Sequence, residues 1–176
     1  MRTKHLTAAF LITLILSCKD TYEDTCKDMI WDFTNYEFFI SVINESGENL
    51  LDPETKGNLL DGGVWITYKG ETYNMKEVQS INTRYLPPSP LSLRYYPKNE
   101  NNSNSLILGF GEFSPTENYK REEFTIHWED GTNDKIEFDC YIIWEDDCEP
   151  EVQKALYLNG KQISAGEYAK VTIIKK

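Results

Sequence analysis

The chain has 176 residues and carries 29 acidic against 18 basic side chains, a net charge of −11. A polyanion of that strength is repelled by nucleic-acid phosphates and by anionic headgroups, which excludes nucleic-acid binding. Hydrophobic residues make up 40% and aromatics 13%, including eleven tyrosines and four tryptophans. That is enough apolar material for one domain with its own core, and the aromatic usage suits strands more than helices.

The chain opens on a basic tip, Arg2, Lys4 and His5, followed by the uncharged and largely apolar run Leu6–Leu16. As a helix this run measures about 16 Å at 1.5 Å per residue. The hydrocarbon core of a bilayer is ~30 Å thick, so the run reads as a secretion signal and not as a span. It ends at Ile15-Leu16-Ser17-Cys18. This stretch resembles the bacterial lipobox, with an apolar residue three positions before the cysteine and a small one directly before it.

The resemblance implies diacylation of Cys18, cleavage before it and acylation of the freed amino group, palmitate being a typical chain. Two or three acyl chains anchor stably where one is marginal. Lys19-Asp20 followed by Glu23-Asp24 is similar to the basic-then-acidic export tag behind the lipid cysteine of Bacteroidota lipoproteins sent to the cell surface. The expected organisation is a cleaved signal peptide over 1–17, a lipidated tether over 18–35 and a folded domain over 36–176. The expected place is the bacterial outer membrane, on its periplasmic or exposed face. Loss of 1–17 removes Arg2 and Lys4, leaving 16 basic against 29 acidic residues, or −13.

Strand patterns follow. Tyr36 to Asn44 alternates Phe38, Ile40 and Val42 against Phe39, Ser41 and Ile43. Glu45–Asn49 turns, and Leu50–Gly63 is a connection broken by Asp52-Pro53, Gly57-Asn58 and Asp61-Gly62-Gly63. Val64–Tyr68 and Thr72–Met75 form a hairpin about Lys69-Gly70-Glu71. Prolines between Arg84 and Pro90 forbid a central strand there. Leu91–Tyr96 is extended, Asn99–Ser105 is an exposed loop, and Leu106–Phe113 is a strand interrupted by Gly109 and Gly111, which points to a bulge or a close approach of backbone.

Glu123–Trp144 is a long hairpin turning at Asp130–Asn133. Its apolar phase runs through Phe124, Ile126 and Trp128, then Ile136, Phe138, Cys140, Ile142 and Trp144. Glu151–Ala155 reads as a turn of helix. Leu156–Leu158 and Ile163 flank the hairpin signal Asn159-Gly160, and Tyr168–Lys176 closes the domain as a strand.

Eight or nine strands without a long helical period predict an all-β fold, an antiparallel sandwich that is immunoglobulin-like in architecture. The whole mature chain resembles single-domain cell-envelope lipoproteins of unknown function from Bacteroidota. The likeness rests on the lipobox, on Ser46-Gly47-Glu48-Asn49-Leu50-Leu51-Asp52 and on Tyr68-Lys69-Gly70-Glu71-Thr72-Tyr73. These motifs are structural and bring no catalytic residues with them.

With Cys18 lipidated, Cys26, Cys140 and Cys148 remain in an oxidising compartment, an odd number. One disulfide and one free thiol follow. Cys140 lies in the apolar phase of a strand, where cysteine behaves as a small hydrophobe. Cys26–Cys148 is the expected bridge, and Cys26–Cys140 is the alternative.

Chemistry-bearing residues are few. His127 shares a strand face with Glu129 and acids such as Glu137, half of a catalytic arrangement at most. No serine sits at a nucleophile elbow, and no phosphate loop or His-x-x-His spacing occurs. The acids at 145–149 and the Asp52, Glu54, Asn58, Asp61 spacing offer oxygen ligands for calcium but do not match the spaced EF-hand loop. No metal and no cofactor is expected. Trp31, Trp65, Tyr95 and Tyr96 fall near strand ends, where exposed rings with acids and amides beside them grip sugars. The sequence therefore predicts a non-enzymatic, lipid-anchored interaction module with an unknown protein or glycan ligand. Glycan binding through exposed aromatics is the alternative, and an envelope hydrolase is a remote one.

Overall fold

Period-two alternation builds the molecule. In β1 (Tyr36–Asn44) the side chains of Tyr36, Phe38, Ile40 and Val42 are buried, while those between them are partly exposed. The computed structural model describes residues 30–77, 91–97, 106–145, 149–166 and 168–176. They fall in two units, 33–143 with 150–176, and 1–32 with 144–149. In the smaller unit the described residues include Trp31 and Trp144, 40% and 55% exposed, and the Glu145 N–H donates to the Glu149 carbonyl at 3.1 Å. The predicted signal peptide and most of the tether, Cys18 and Cys26 included, lie outside the described residues, as does Cys148.

The remaining strands are β2 (Trp65–Tyr68), β3 (Glu71–Glu77), β4 (Leu93–Tyr96), β5 (Ile107–Phe113), β6 (Tyr119–His127), β7 (Asn133–Trp144), β8 (Pro150–Leu158), β9 (Lys161–Ile163) and β10 (Ala169–Lys175). A single 3-10 turn, Pro115–Glu117, joins β5 to β6, so the fold is all-β among the described residues. The strands form one hydrogen-bonded order, β10-β1-β5-β4-β3-β2-β6-β7-β8-β9. The sheet folds over on itself, because rings from its first half meet rings from its second. Phe38 lies 5.0 Å from Phe124 and 4.9 Å from Phe138, and Phe113 lies 4.7 Å from Phe138, mostly edge to face. Such contacts contribute about 0.5–1.5 kcal/mol each beyond the apolar area they bury.

Two bulges shape this sheet. Between Tyr36↔Phe113 and Phe38↔Phe110, β5 spends one residue more than β1, and Gly111 takes it up at φ +81°. Phe110 and Phe113 consequently both point inward. In β6 the extra residue is Arg121, at φ +51°, whose N–H donates to Asp139 Oδ1 at 2.6 Å. The β10 strand is fastened at its far end. Lys175 Nζ donates to Asp134 Oδ2 at 2.8 Å, joined there by Trp128 Nε1 at 2.7 Å, while Asn159 Nδ2 reaches Oδ1 at 2.8 Å.

Several expectations are corrected. Among the described residues there are ten strands where about eight or nine are expected, and β1/β10 and β3/β4 run parallel in an order expected to be antiparallel throughout. The single continuous ladder also differs from the two separate sheets of an immunoglobulin sandwich. The predicted helical turn at Glu151–Ala155 is part of β8, where pairing with β7 and β9 overrides local preference. The apolar phase of β7 stays buried only as far as Cys140. Beyond it Ile142 is half-exposed and Trp144 exposed.

Candidate functional site

The face of the sheet turned away from the core carries the feature that the core does not explain. Alternation places Glu37, Phe39 and Ser41 of β1 on this face. Arg94 and Tyr96 of β4 and Glu112 of β5 share it, and so do the exposed residues Lys170 and Thr172 of β10. Across the strands runs a row of three rings. Phe39 lies 6.0 Å from Tyr168 and 6.3 Å from Tyr96, with interplanar angles of 66° and 53°. Tyr168, just before β10, is 44% exposed, and the other two rings are partly exposed.

The row has a floor and a frame. Gly109, the register partner of Phe39, lies under Tyr96, and a Cβ there would stand 2.6 Å from that ring's Cε2. Tyr96 closes onto the backbone because position 109 has no side chain. Its hydroxyl donates to Glu37 Oε1 at 3.3 Å. Arg94 Nη2 donates to the same oxygen at 2.7 Å and to the Gly111 carbonyl at 3.1 Å, and Nη1 reaches Glu112 Oε1 at 3.3 Å. Burial pushes the Glu37 carboxyl above its usual value, although the Arg94 charge and the Tyr96 hydrogen bond pull it back part of the way. Burial likewise raises the Tyr96 phenol, with the Glu37 charge adding to the effect. Arg94, Glu37 and Tyr96 thus hold one another in place.

Of the aromatic residues predicted from sequence, only Tyr96 belongs to the row. Tyr95 is a correction: it is 7% exposed and donates its hydroxyl to the Leu51 carbonyl at 3.1 Å, being in the inward phase of β4. Trp65 stacks in parallel on His127 across the β2–β6 pair, with centroids 5.1 Å apart and planes 4° from parallel. Trp31 belongs to the smaller unit. Sequence reasoning missed Phe39 and Tyr168. The available signal was that Phe39 falls out of phase with the buried Phe38.

His127 is not set against carboxylates. Its Nε2 is 2.9 Å from Thr67 Oγ1 and its β7 register partner is Asn133, whereas Glu137 pairs with Glu123. Glu129 accepts the Gly62 N–H at 2.8 Å. Of the oxygens considered for calcium, those between 52 and 61 close turns: Asp52 Oδ1 accepts from Glu54 N–H at 3.0 Å, and Asn58 Nδ2 donates to Asp61 Oδ2 at 3.1 Å, while Asp146 and Asp147 lie outside the described residues. Among the described residues no three histidine, cysteine or acidic side chains converge as metal ligands. Cys140 is a free, buried thiol, pushed up to about 11 by its burial despite the Lys154 charge near it. Tyr36, beside it, is raised to about 12 by burial and by Cys140, and Lys154 Nζ lies 4.8 Å over its ring.

No helix among the described residues is long and apolar enough to cross a membrane. Comparison with known protein families, with curated proteins and with solved structures finds no significant match.

Proposed function

We propose that the chain is a non-catalytic binding module, held on the bacterial outer membrane by lipid on Cys18, whose binding surface is the outer face of β10, β1, β5 and β4. The observation that carries this reading is the row Tyr168–Phe39–Tyr96, partly exposed on a face already framed by Arg94, Glu37 and Glu112. Preorganised rings bind at low cost because few rotamers remain to be frozen. The anchor rests on the sequence, on Ile15-Leu16-Ser17-Cys18 behind its apolar run. The lack of catalytic work is supported by the setting of His127: Thr67 Oγ1 lies 2.9 Å from its Nε2, but the ring stacks on Trp65 and its β7 register partner is Asn133, so no carboxylate stands there to orient it as the third member of a triad.

The test has two parts. Cells fed labelled palmitate should label the wild-type chain and fail to label Cys18→Ser. Protease added to intact cells should then cleave the wild-type chain. Absence of label from the wild type, or its persistence in Cys18→Ser, removes the anchor. Cleavage only after lysis moves the module to the periplasmic face.

A further inference from the structure

We propose that the ligand of this outer face is an uncharged oligosaccharide, stacked on Tyr168, Phe39 and Tyr96 and hydrogen-bonded at its edge by Glu37, which Arg94 holds in place. This rests on the reading of the face as a binding surface and adds the class of ligand. Three features of the face point to it.

The first is charge. The chain as a whole carries −11, yet the face holds Glu37 and Glu112 against Arg94 and Lys170 and is locally balanced. A balanced face does not select an ion, and the −11 background repels anionic ligands. The second is chemistry. Sugar rings present a face of C–H groups that packs on aromatic π-surface and an edge of hydroxyls that both donate and accept. Around the row stand the matching groups. Both hydrogen bonds received by Glu37 arrive at Oε1, which leaves Oε2 to accept from a ligand hydroxyl. Ser41 Oγ and Thr172 Oγ1, 3.1 Å apart, place hydroxyls further along the same face.

The third feature is shape. The rings turn by 66° and 53° from one to the next, so they do not form one plane. A flat ribbon of sugars, as at the surface of an insoluble polysaccharide, cannot stack on all three at once. A short soluble chain that twists along its length can. A protein partner fits less well, because protein interface cores are depleted of carboxylates, and here Glu37 and Glu112 stand on the same face as the rings.

The experiment uses the purified full chain on an array of soluble neutral gluco-, manno-, galacto- and xylo-oligosaccharides. Crystalline cellulose and chitin serve as flat surfaces, and titration calorimetry follows on the strongest hit. The expected result is binding to a soluble oligosaccharide and none to the insoluble surfaces. Phe39→Ala and Tyr168→Ala should each weaken that binding at least ten-fold, and Glu37→Gln should weaken it less while changing the preference among sugars. Circular dichroism and the thermal midpoint of each variant show whether it is folded. Tyr168 is the control should Phe39→Ala unfold, since its ring is 44% exposed.

Binding that survives both alanine substitutions overturns the site. Capture of cellulose or chitin with no soluble hit overturns the twisted-row argument. If no sugar binds and a photo-crosslinker placed at position 39 joins a protein, the saccharide proposal fails while the binding face stands. If the crosslinker joins a second copy of the chain, the face is a self-association surface and the proposal fails. If neither sugar nor crosslink appears, both readings fall.

Discussion

Replacement of Asp134 by alanine should be among the most destabilising single changes in the chain. The carboxylate is 6% exposed and receives Lys175, Trp128 and Asn159 at 2.7–2.8 Å, while the Lys175 side chain is itself only 13% exposed. Its removal leaves the Lys175 ammonium with the Thr132 hydroxyl at 2.7 Å and no carboxylate from Asp134, and takes the acceptor from an indole N–H and an amide. Breaking a buried pair from one side costs about 3–5 kcal/mol, a large part of the ~5–15 kcal/mol that holds a domain folded. At a urea m-value of about 2 kcal/mol/M the unfolding midpoint falls by about 2 M. Lys175→Met should rescue part of the loss in an Asp134→Asn background, with a coupling of about 1–3 kcal/mol, because the two residues form one network. Burial pushes this carboxyl upward, but the Lys175, Asn159 and Trp128 hydrogen bonds together with the Lys175 charge outweigh it and hold the carboxyl below its usual value. A depressed folded-state value means that the contribution is present above the unfolded value of about 3.9 and is lost as pH falls through the folded one. The gap between wild type and Asp134→Asn should therefore be full at neutral pH and close progressively below about pH 4. A midpoint shift under about 0.5 M for Asp134→Ala, or a gap that does not depend on pH, refutes this account of the β10 lock.

Gly111→Ala should cost about 1–3 kcal/mol in urea unfolding, because position 111 has φ +81° and a Cβ there would overlap the buried Phe113 ring. Cys140 should resist alkylation in the folded chain at pH 8 and react only on unfolding, since burial holds its thiol near 11; rapid labelling without denaturant contradicts that. Non-reducing peptide mapping should find Cys26 joined to Cys148, a loop of about 120 residues for which chain entropy alone predicts about 4–5 kcal/mol; a free Cys26 dismisses the bridge. Tyr168→Ala should shift stability by less than about 1 kcal/mol, because the ring is 44% exposed; a larger loss means that the row serves the fold and not a ligand.

Strand periodicity made most of the fold legible. The alternation in Tyr36–Asn44 and through Phe124, Ile126, Ile136 and Phe138 is the alternation of burial in the structure. The Asn159-Gly160 turn falls where its dipeptide places it, and the two glycines of β5 are both used. Their uses differ. Gly111 supplies a backbone angle, and Gly109 supplies room for Tyr96. Pairing partners were not legible, because alternation fixes which face a residue takes and says nothing of which strand lies beside it. The parallel β1/β10 pair joins residues more than 120 positions apart, and no local signal encodes it. The candidate site was half legible for the same reason. Tyr96 could be singled out from its place near a strand end, but Phe39 and Tyr168 become its neighbours only once β10, β1, β5 and β4 stand side by side.

The core accounts for Phe38, Phe110, Phe113, Phe124 and Phe138, rings removed from water whose burial stabilises the domain. The outer row requires another reason. Three aromatic rings left partly in water return only a fraction of that burial energy, and threonine or lysine would suit a solvent-facing strand as well. Gly109 sharpens the point. A β-branched residue there would strengthen β5 as a strand, yet the position is glycine, and the Tyr96 ring lies within 2.6 Å of where a Cβ would stand. Arg94 ties β4 to β1 and β5 through two carboxylates and a carbonyl, and the Glu37 oxygen it holds also accepts the Tyr96 hydroxyl. A strand weakened by glycine beneath a ring fixed in place follows the pattern in which a local concession in stability accompanies a preformed site. On that argument the face from β10 to β4 is where the proposed ligand is to be sought first, by substitution at positions 39 and 168.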